Sequence, residues 1–277
     1  MLSKTGLRLA MSALGIVFGL AGGATYAEGT KTVINAATEP TIPPFTYKDL
    51  ASNKLMGFDI DLFEAIAAKM GAKVNWIDTK YQEFIPAIKT KRVDVAVAQK
   101  EDTPEGRTAG VSFVDYVNDG SVFVTLRANA ERFPDMDVLC GKRVGATRSS
   151  DRPVLVAKWS DEHCTKAGNP AVIVVGTEHS ADSRLQINQG RIDAFTFSPL
   201  RIGYQNKIEN NRYMAIGKPF HSFPNGIVFA NDDPQFGQAI KNALGAVMAD
   251  GTYRDLLRKW DLPDDGAIER PMINGQP

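Results

Sequence analysis

Two nine-residue stretches, one in each half of the chain, follow a single plan. Ile88-Lys89-Thr90-Lys91-Arg92-Val93-Asp94-Val95-Ala96 is echoed by Ile187-Asn188-Gln189-Gly190-Arg191-Ile192-Asp193-Ala194-Phe195, each reading as a helix end, a basic link and a buried strand. The first of these strands, residues 93–98, is apolar, rich in β-branched side chains and too short for a helix, which suits burial on both faces. Before it, residues 31–38 read as a strand, 57–71 as a helix, 72–78 as a strand and 84–89 as a helix. The helix over 57–71 places Leu62, Phe63, Ile66, Ala67 and Met70 on one stripe, with Asp59 able to cap it and Gly71 at its stop. Strands alternating with helices specify a parallel sheet with right-handed crossovers. The expected fold class is α/β with two lobes, each a mainly parallel sheet flanked by helices.

In such sheets ligands bind beyond the carboxyl ends of the strands. In the first lobe that exit runs from Gln99 to Arg107 and includes Lys100, Glu101 and Asp102, with Pro104 and Gly106 interrupting regular structure. Arg107 offers a planar, permanently charged fork suited to a carboxylate. The alternative is a surface arginine paired with Glu101 or Glu105. Prolines 40, 43 and 44 fix residues 39–45 as a second strand-end loop. In the second lobe a strand entry at 141–146 leads into Thr147-Arg148-Ser149-Ser150-Asp151, with Pro153 in the first turn of the next helix. Backbone N–H groups, hydroxyls and Arg148 there favour an anion. A plain helix cap by Ser149, Ser150 or Asp151 is the other reading. The second lobe's own strand exit is Thr196-Phe197-Ser198-Pro199, and two such edges face to face make a cleft.

Residues 120–126 and 212–216 read as further strands, and the chain is expected to cross between lobes near 127–137 and to return through 220–225. Asp233-Pro234 opens a helix bearing Phe236, Ile240, Ala243, Leu244, Val247 and Met248 on one face. Tyr253, Leu256, Leu257 and Trp260 continue in a second helix, and a loose tail is expected from Asp264. The first 27 residues carry Lys4 and Arg8, an apolar run from Leu9 to Leu20 too short to span a bilayer, and small residues up to Thr25-Tyr26-Ala27. That is the pattern of a cleavable export signal. The expected division is 1–27 signal peptide, 28–123 with 224–277 as lobe 1, and 124–223 as lobe 2. The whole chain holds 32 basic and 32 acidic residues; losing Lys4 and Arg8 leaves the exported chain two charges negative, with no basic field for nucleic acid. An exported protein with a single pair of cysteines, Cys140 and Cys164, is expected to join them. Closing that loop stabilises by about 3.5 kcal/mol in the chain-entropy view. His163, His179 and His221 lack metal-ligand spacing, so no metal or other cofactor is expected.

Several local motifs recur in an order that resembles the periplasmic solute-binding proteins of ABC importers, the polar amino-acid family with the type II periplasmic binding fold. They are Pro43-Pro44-Phe45-Thr46-Tyr47, Gly57-Phe58-Asp59-Ile60-Asp61-Leu62, Phe84-Ile85-Pro86-Ala87-Ile88, Thr103-Pro104-Glu105, Gly190-Arg191-Ile192-Asp193-Ala194, and Asp250-Gly251-Thr252-Tyr253 with Lys259-Trp260. The resemblance implies two lobes joined by a two-strand hinge that close on a small solute and deliver it to a membrane permease. It implies that Arg107 holds the solute's α-carboxylate, although Gly106 looks like an inserted residue. It also implies that Ser149, Ser150 and Asp151 add donors, and that Tyr81 lines the side-chain pocket. Three departures stand out. Ile42 replaces an aromatic over the ligand, Gln99 to Asp102 replace small residues, and Phe197 or Ser198 replaces the acid that grips the α-ammonium. Glu39, Glu101 or Asp102 could meet an ammonium instead, as could the rings of Phe197 and Phe223 if it is alkylated. Asn225 is included among the expected ligand contacts.

The expected function is therefore a monomeric periplasmic binding component for a small carboxylate-bearing solute such as an amino acid, a modified amino acid or an opine. One alternative is an exported enzyme on the same fold, resembling cyclohexadienyl dehydratases, with Glu101, Asp102 or His221 as acid. Against it, the chain carries no nucleophile elbow, P-loop or zinc-protease motif. Another is a soluble partner of a membrane sensor.

Overall fold

A computed structural model describes Met1, residues 31–148 and residues 150–276. The expected signal peptide and Ser149 lie outside the described residues. The chain from Lys31 opens with β1 (Val33–Thr38) and a small antiparallel ribbon of β2 (Thr41–Ile42), β3 (Thr46–Lys48) and β4 (Leu55–Met56). Helix α1 (Phe58–Lys69) then leads to β5 (Lys73–Asp78), α2 (Phe84–Lys89) and β6 (Val95–Ala96). β1 lies between β5 and β6 and is parallel to both, the sheet that alternating elements demand. Gly57 is obligatory at the start of α1: at φ 140°, a Cβ there would sit 2.0 Å from the Phe45 carbonyl oxygen. Gly57, not Asp59, occupies the N-cap position, and the wholly buried Asp59 instead accepts the Gln99 amide at 2.9 Å.

After the short α3 (Pro104–Thr108) comes β7 (Val111–Leu126), sixteen residues long. The second lobe is built from β8 (Arg143–Thr147), α4 (Arg152–His163), β9 (Ile173–Thr177), α5 (Ser180–Asn188), β10 (Ala194–Phe197) and α6 (Pro199–Ile208). Here too the central pairs, β8 with β9 and β8 with β10, are parallel. Strand β11 (Tyr213–Ala230) returns antiparallel along the whole of β7. The strand order β5-β1-β6-β11-β7-β10-β8-β9 shows that β7 and β11 are the elements common to both halves. Their shared middle pairs His221 with Ser121, Ser222 with Gly120 and Phe223 with Asp119. A Cβ on Gly120 would meet the His221 carbonyl oxygen at 2.3 Å, so the two strands approach closely at this crossing.

Helices α7 (Pro234–Ala249) and α8 (Thr252–Lys259) pack Ile240, Leu244, Val247 and Leu257 into the first lobe's core beside Phe58, Phe63 and Ile66. The chain beyond them is not the loose tail expected. It forms β12 (Ala267–Ile273), antiparallel to β7, with Ile268 buried. Asn274 fixes its end, accepting from the Phe113 amide at 2.9 Å and donating its own amide to the Phe113 carbonyl at 3.0 Å. In the second lobe, cores around Phe123, Val144 and Trp159 and around Phe195 and Ile187 lie on either side of the sheet. Cys140 and Cys164 form a disulfide with a Cα–Cα distance of 5.5 Å. Among the described residues no helix is long and apolar enough to cross a membrane.

Candidate functional site

The strand ends of both lobes, the middle of β7 and the β11 segment from Phe223 to Asn225 enclose a cavity of about 370 Å³. From the first lobe come Glu39, Ile42, Tyr81, Gln99 and Glu101; from the second, Thr147, Ser150, Asp151, Arg152, His179, Ser180, Ser198 and Arg201; from the shared strands, Asp119, Ser121, Phe223 and Asn225. This is the crevice beyond the carboxyl ends of parallel strands, twice over.

The first-lobe wall is held by buried polar contacts. Gln99 takes a left-handed conformation with φ 48°. Its amide donates to Asp59, and its side chain donates to Asp119 at 3.2 Å. Ser198 donates to the same Asp119 carboxylate at 2.8 Å, which ties the wall to the N-terminus of α6. Burial raises the Asp119 carboxyl above the ordinary range. Glu39 accepts from the Tyr81 amide at 3.0 Å. Glu101 is pinned through its backbone to Asn225 in an isolated antiparallel bridge, flanked by bonds from the Asp102 amide to the Pro224 carbonyl and from the Gly226 amide to the Lys100 carbonyl. Burial, and then the facing Asp151 carboxylate, push Glu101 up to about 7.

Two guanidinium groups face these acids. Arg152 stands at the first position of α4; burial pulls its pKa down, while Asp119, Asp151 and Glu101 oppose that pull. Its side chain makes no hydrogen bond to another described residue. Arg201 lies over the Phe197 ring at 5.2 Å and donates to the Pro43 carbonyl at 3.2 Å, and burial lowers it to about 10. Asn225 is 1% exposed, and neither its carboxamide oxygen nor its nitrogen has a partner among the described residues. A buried amide with nothing to bond is costly unless a ligand satisfies it.

Several expected contacts are elsewhere. Arg107 does not reach the cavity: α3 turns it back so that Nε and Nη2 donate to the two oxygens of Asp102 at 2.7 and 2.6 Å. Asp102, whose side chain is fully buried, is consumed by that pair, so Arg107 is paired with Asp102 and not with Glu101 or Glu105. Lys100 sits 4.2 Å from the centre of the Tyr81 ring and does not line the cavity. Arg148 points the other way, donating to Glu178 at 2.7 Å and to the Gly176 carbonyl. Phe197 packs beneath Arg201 and against Phe195 without lining the cavity. Ser150 does lie at the cavity and accepts from the Arg152 amide, whereas Asp151 makes no side-chain cap and stays available. Asp119, Ser121, Thr147, Arg152, His179, Ser180 and Arg201 were not singled out from the sequence. Two of these had a local signal: Thr147 lies within the polar turn, and Arg152 stands one residue past it and one before Pro153.

Residues 34–263 match the family model of the bacterial extracellular solute-binding proteins, family 3. The chain belongs to this family. This solute-binding protein is 26% identical over 248 residues to the ABC transporter arginine-binding protein 1 of Escherichia coli K12, covering 85% of its own length and 93% of the relative's. It is 27% identical over 235 residues to the L-cystine-binding protein TcyA of Bacillus subtilis 168, with 83% and 81% covered. Among solved structures, an ancestral arginine-binding protein bound to glutamine aligns at a TM-score of 0.65 and 29% identity over 84% of this chain and 99% of that one. The fold is accordingly the two-lobed type II periplasmic binding fold.

Proposed function

We propose that this chain is the periplasmic binding component of an ABC importer and captures an amino-acid-type solute whose carboxylate lies on Arg152. The observation that carries the reading is Arg152 itself: a guanidinium on the cavity wall whose side chain bonds no described residue, on a wall shared with a buried Asn225 that has no partner among them either. Charge-assisted bonds of this kind contribute about 1.5–3 kcal/mol each. Four carboxylates against two guanidinium groups on the wall favour a solute that also carries a cationic nitrogen, as the relatives named for arginine do. On this reading the leader over 1–27 exports the chain. Lobes of residues 28–123 with 224–277 and of residues 124–223 close about the middle of β7 and β11, and the loaded form docks on a membrane permease. The relatives are named as binding proteins, which supports capture without chemistry.

The test is calorimetry with a panel of amino acids, amines and opine-type amino acids, in chelator. A cationic amino acid is expected to bind, and Arg152→Ala to weaken it by roughly tenfold to a hundredfold, from the loss of one such bond. Unchanged affinity in Arg152→Ala would remove the proposed anchor.

A further inference from the structure

At the rim of the cavity three side chains from three separate elements converge. Glu101 leaves the first lobe's strand exit, Asp151 precedes α4 in the second lobe, and His221 comes from the shared middle of β11. One oxygen or nitrogen atom of each lies within 4.8 Å of the others, and His221 Nε2 is 3.9 Å from Glu101 Oε1. We propose that Glu101, Asp151 and His221 form a binding site for a divalent first-row transition-metal ion that bridges the two lobes.

The backbone already fixes two of the three ligands. Glu101 is bridged to Asn225 on the same strand that carries His221, and the Phe223 ring lies 5.3 Å from the imidazole and limits its rotation. Asp151 stands at the N-cap of α4, yet its carboxylate accepts no capping bond from the described residues. Among the described residues no lysine or arginine forms an ion pair with either acid. Arg152 faces both, but its leading counter-charge is Asp119. A bound metal requires its ligands deprotonated, and two carboxylates with one imidazole then supply a charge of minus two, the match for a divalent ion and a common donor set for one. Ligand atoms about 2.1 Å from a shared ion sit roughly 3–4 Å from each other, so the cluster has to contract by about 1 Å, within reach of side-chain rotation. Asn225, whose buried carboxamide has no partner among the described residues, lines the cavity that Glu101 and Asp151 also line and offers a neutral oxygen. The spacing of the histidines gave no sign of a metal because the ligands are 50 and 70 residues apart in sequence.

The probe is Zn²⁺ alone, titrated by calorimetry into tag-free protein stripped with chelator, with Co²⁺ absorption reporting the ligand set. One ion per chain should bind at micromolar concentrations, with a visible band that His221→Ala changes. Outer-shell changes at metal sites cost tenfold to a hundredfold, so loss of a direct ligand in His221→Ala or Asp151→Asn should weaken Zn²⁺ by about tenfold or more. Thermal melts confirm that each variant is folded. Zn²⁺ heats no greater than dilution, or equal affinity in wild type and His221→Ala, would overturn the proposal. So would Glu101→Gln and Asp151→Asn losing solute affinity while Zn²⁺ fails to bind, since the acids would then serve the solute's cationic nitrogen. Because the solute assay is run in chelator, the metal site and the Arg152 reading stand or fall separately.

Discussion

Replacing Arg107 by alanine separates a structural arginine from a ligand anchor. Arg107 donates two short bonds to Asp102, whose side chain has no exposed surface. Behind it lies Asp115, wholly buried, with one oxygen accepting from the Gly275 amide at 3.0 Å and the other without a partner among the described residues. Removing one member of a buried ion pair costs about 3–5 kcal/mol, because the remaining charge has no compensation. The guanidinium is one-third exposed, so water recovers part of that and the expected loss is about 2–4 kcal/mol. At about 2–4 °C per kcal/mol for a chain of this size, the melting temperature should fall by roughly 5–15 °C. The loss should grow between pH 5 and pH 8, since burial already raises the Asp115 carboxyl to about 7 and removing the guanidinium takes away a charge that favours its ionised form. The assay is thermal unfolding followed by near-ultraviolet circular dichroism, alongside solute calorimetry. Adding Asp102→Asn to Arg107→Ala should restore part of the stability by removing the stranded charge, and solute affinity should stay within about threefold of wild type. A variant that melts within 2 °C of wild type but loses tenfold or more in solute affinity would refute this reasoning and return Arg107 to the ligand.

Three further outcomes follow from the same buried contacts. Burial raises the Asp59 and Asp115 carboxyls to about 7, with Asp102 adding to the rise at Asp115. A raised folded-state carboxyl gives stability that is full below the unfolded value near 4 and is lost as pH climbs through 7, so melting temperature should drop from pH 5 to pH 8. Asp115→Asn, which mimics the protonated form, should flatten that drop in a pH series of melts, and an unchanged slope would exclude Asp115 as a source. Opening the disulfide in Cys140→Ser with Cys164→Ser should cost about 2–4 kcal/mol by chemical denaturation. Deleting residues 267–277 should destabilise the first lobe and promote association, measured by light scattering, because the edge of β7 and the Ile268 site are uncovered.

What the sequence made legible is what local pattern and burial decide. The duplicated helix-to-strand units became β6 and β10, and α1, α4, α7 and α8 formed where apolar spacing and Gly57, Pro153 or Pro234 placed them. The location of the cavity also followed, because strand exits in parallel sheets meet there whatever their side chains are. The identity of the charged contacts did not follow, because it depends on single-residue register. With Gly106 intervening, the α3 turn carries Arg107 onto Asp102, five positions back, while the same polar grammar in the second lobe puts Arg152 at the first helical position and facing inward. The C-terminal strand was illegible for a different reason. Glu269, Arg270 and Pro271 break the alternation that marks a strand, and they are tolerated because β12 is an added edge whose hold comes from Ile268 and Asn274. Asp119 was hidden likewise, and His221 surfaced only as an acid of the alternative enzyme: polar residues in mid-strand carry no strand signal, yet the crossing of β7 and β11 is where polar side chains can line a cleft and still keep their backbone bonds. A substitution that keeps the helical and strand pattern but moves an arginine by one turn would leave this fold intact and change what it holds.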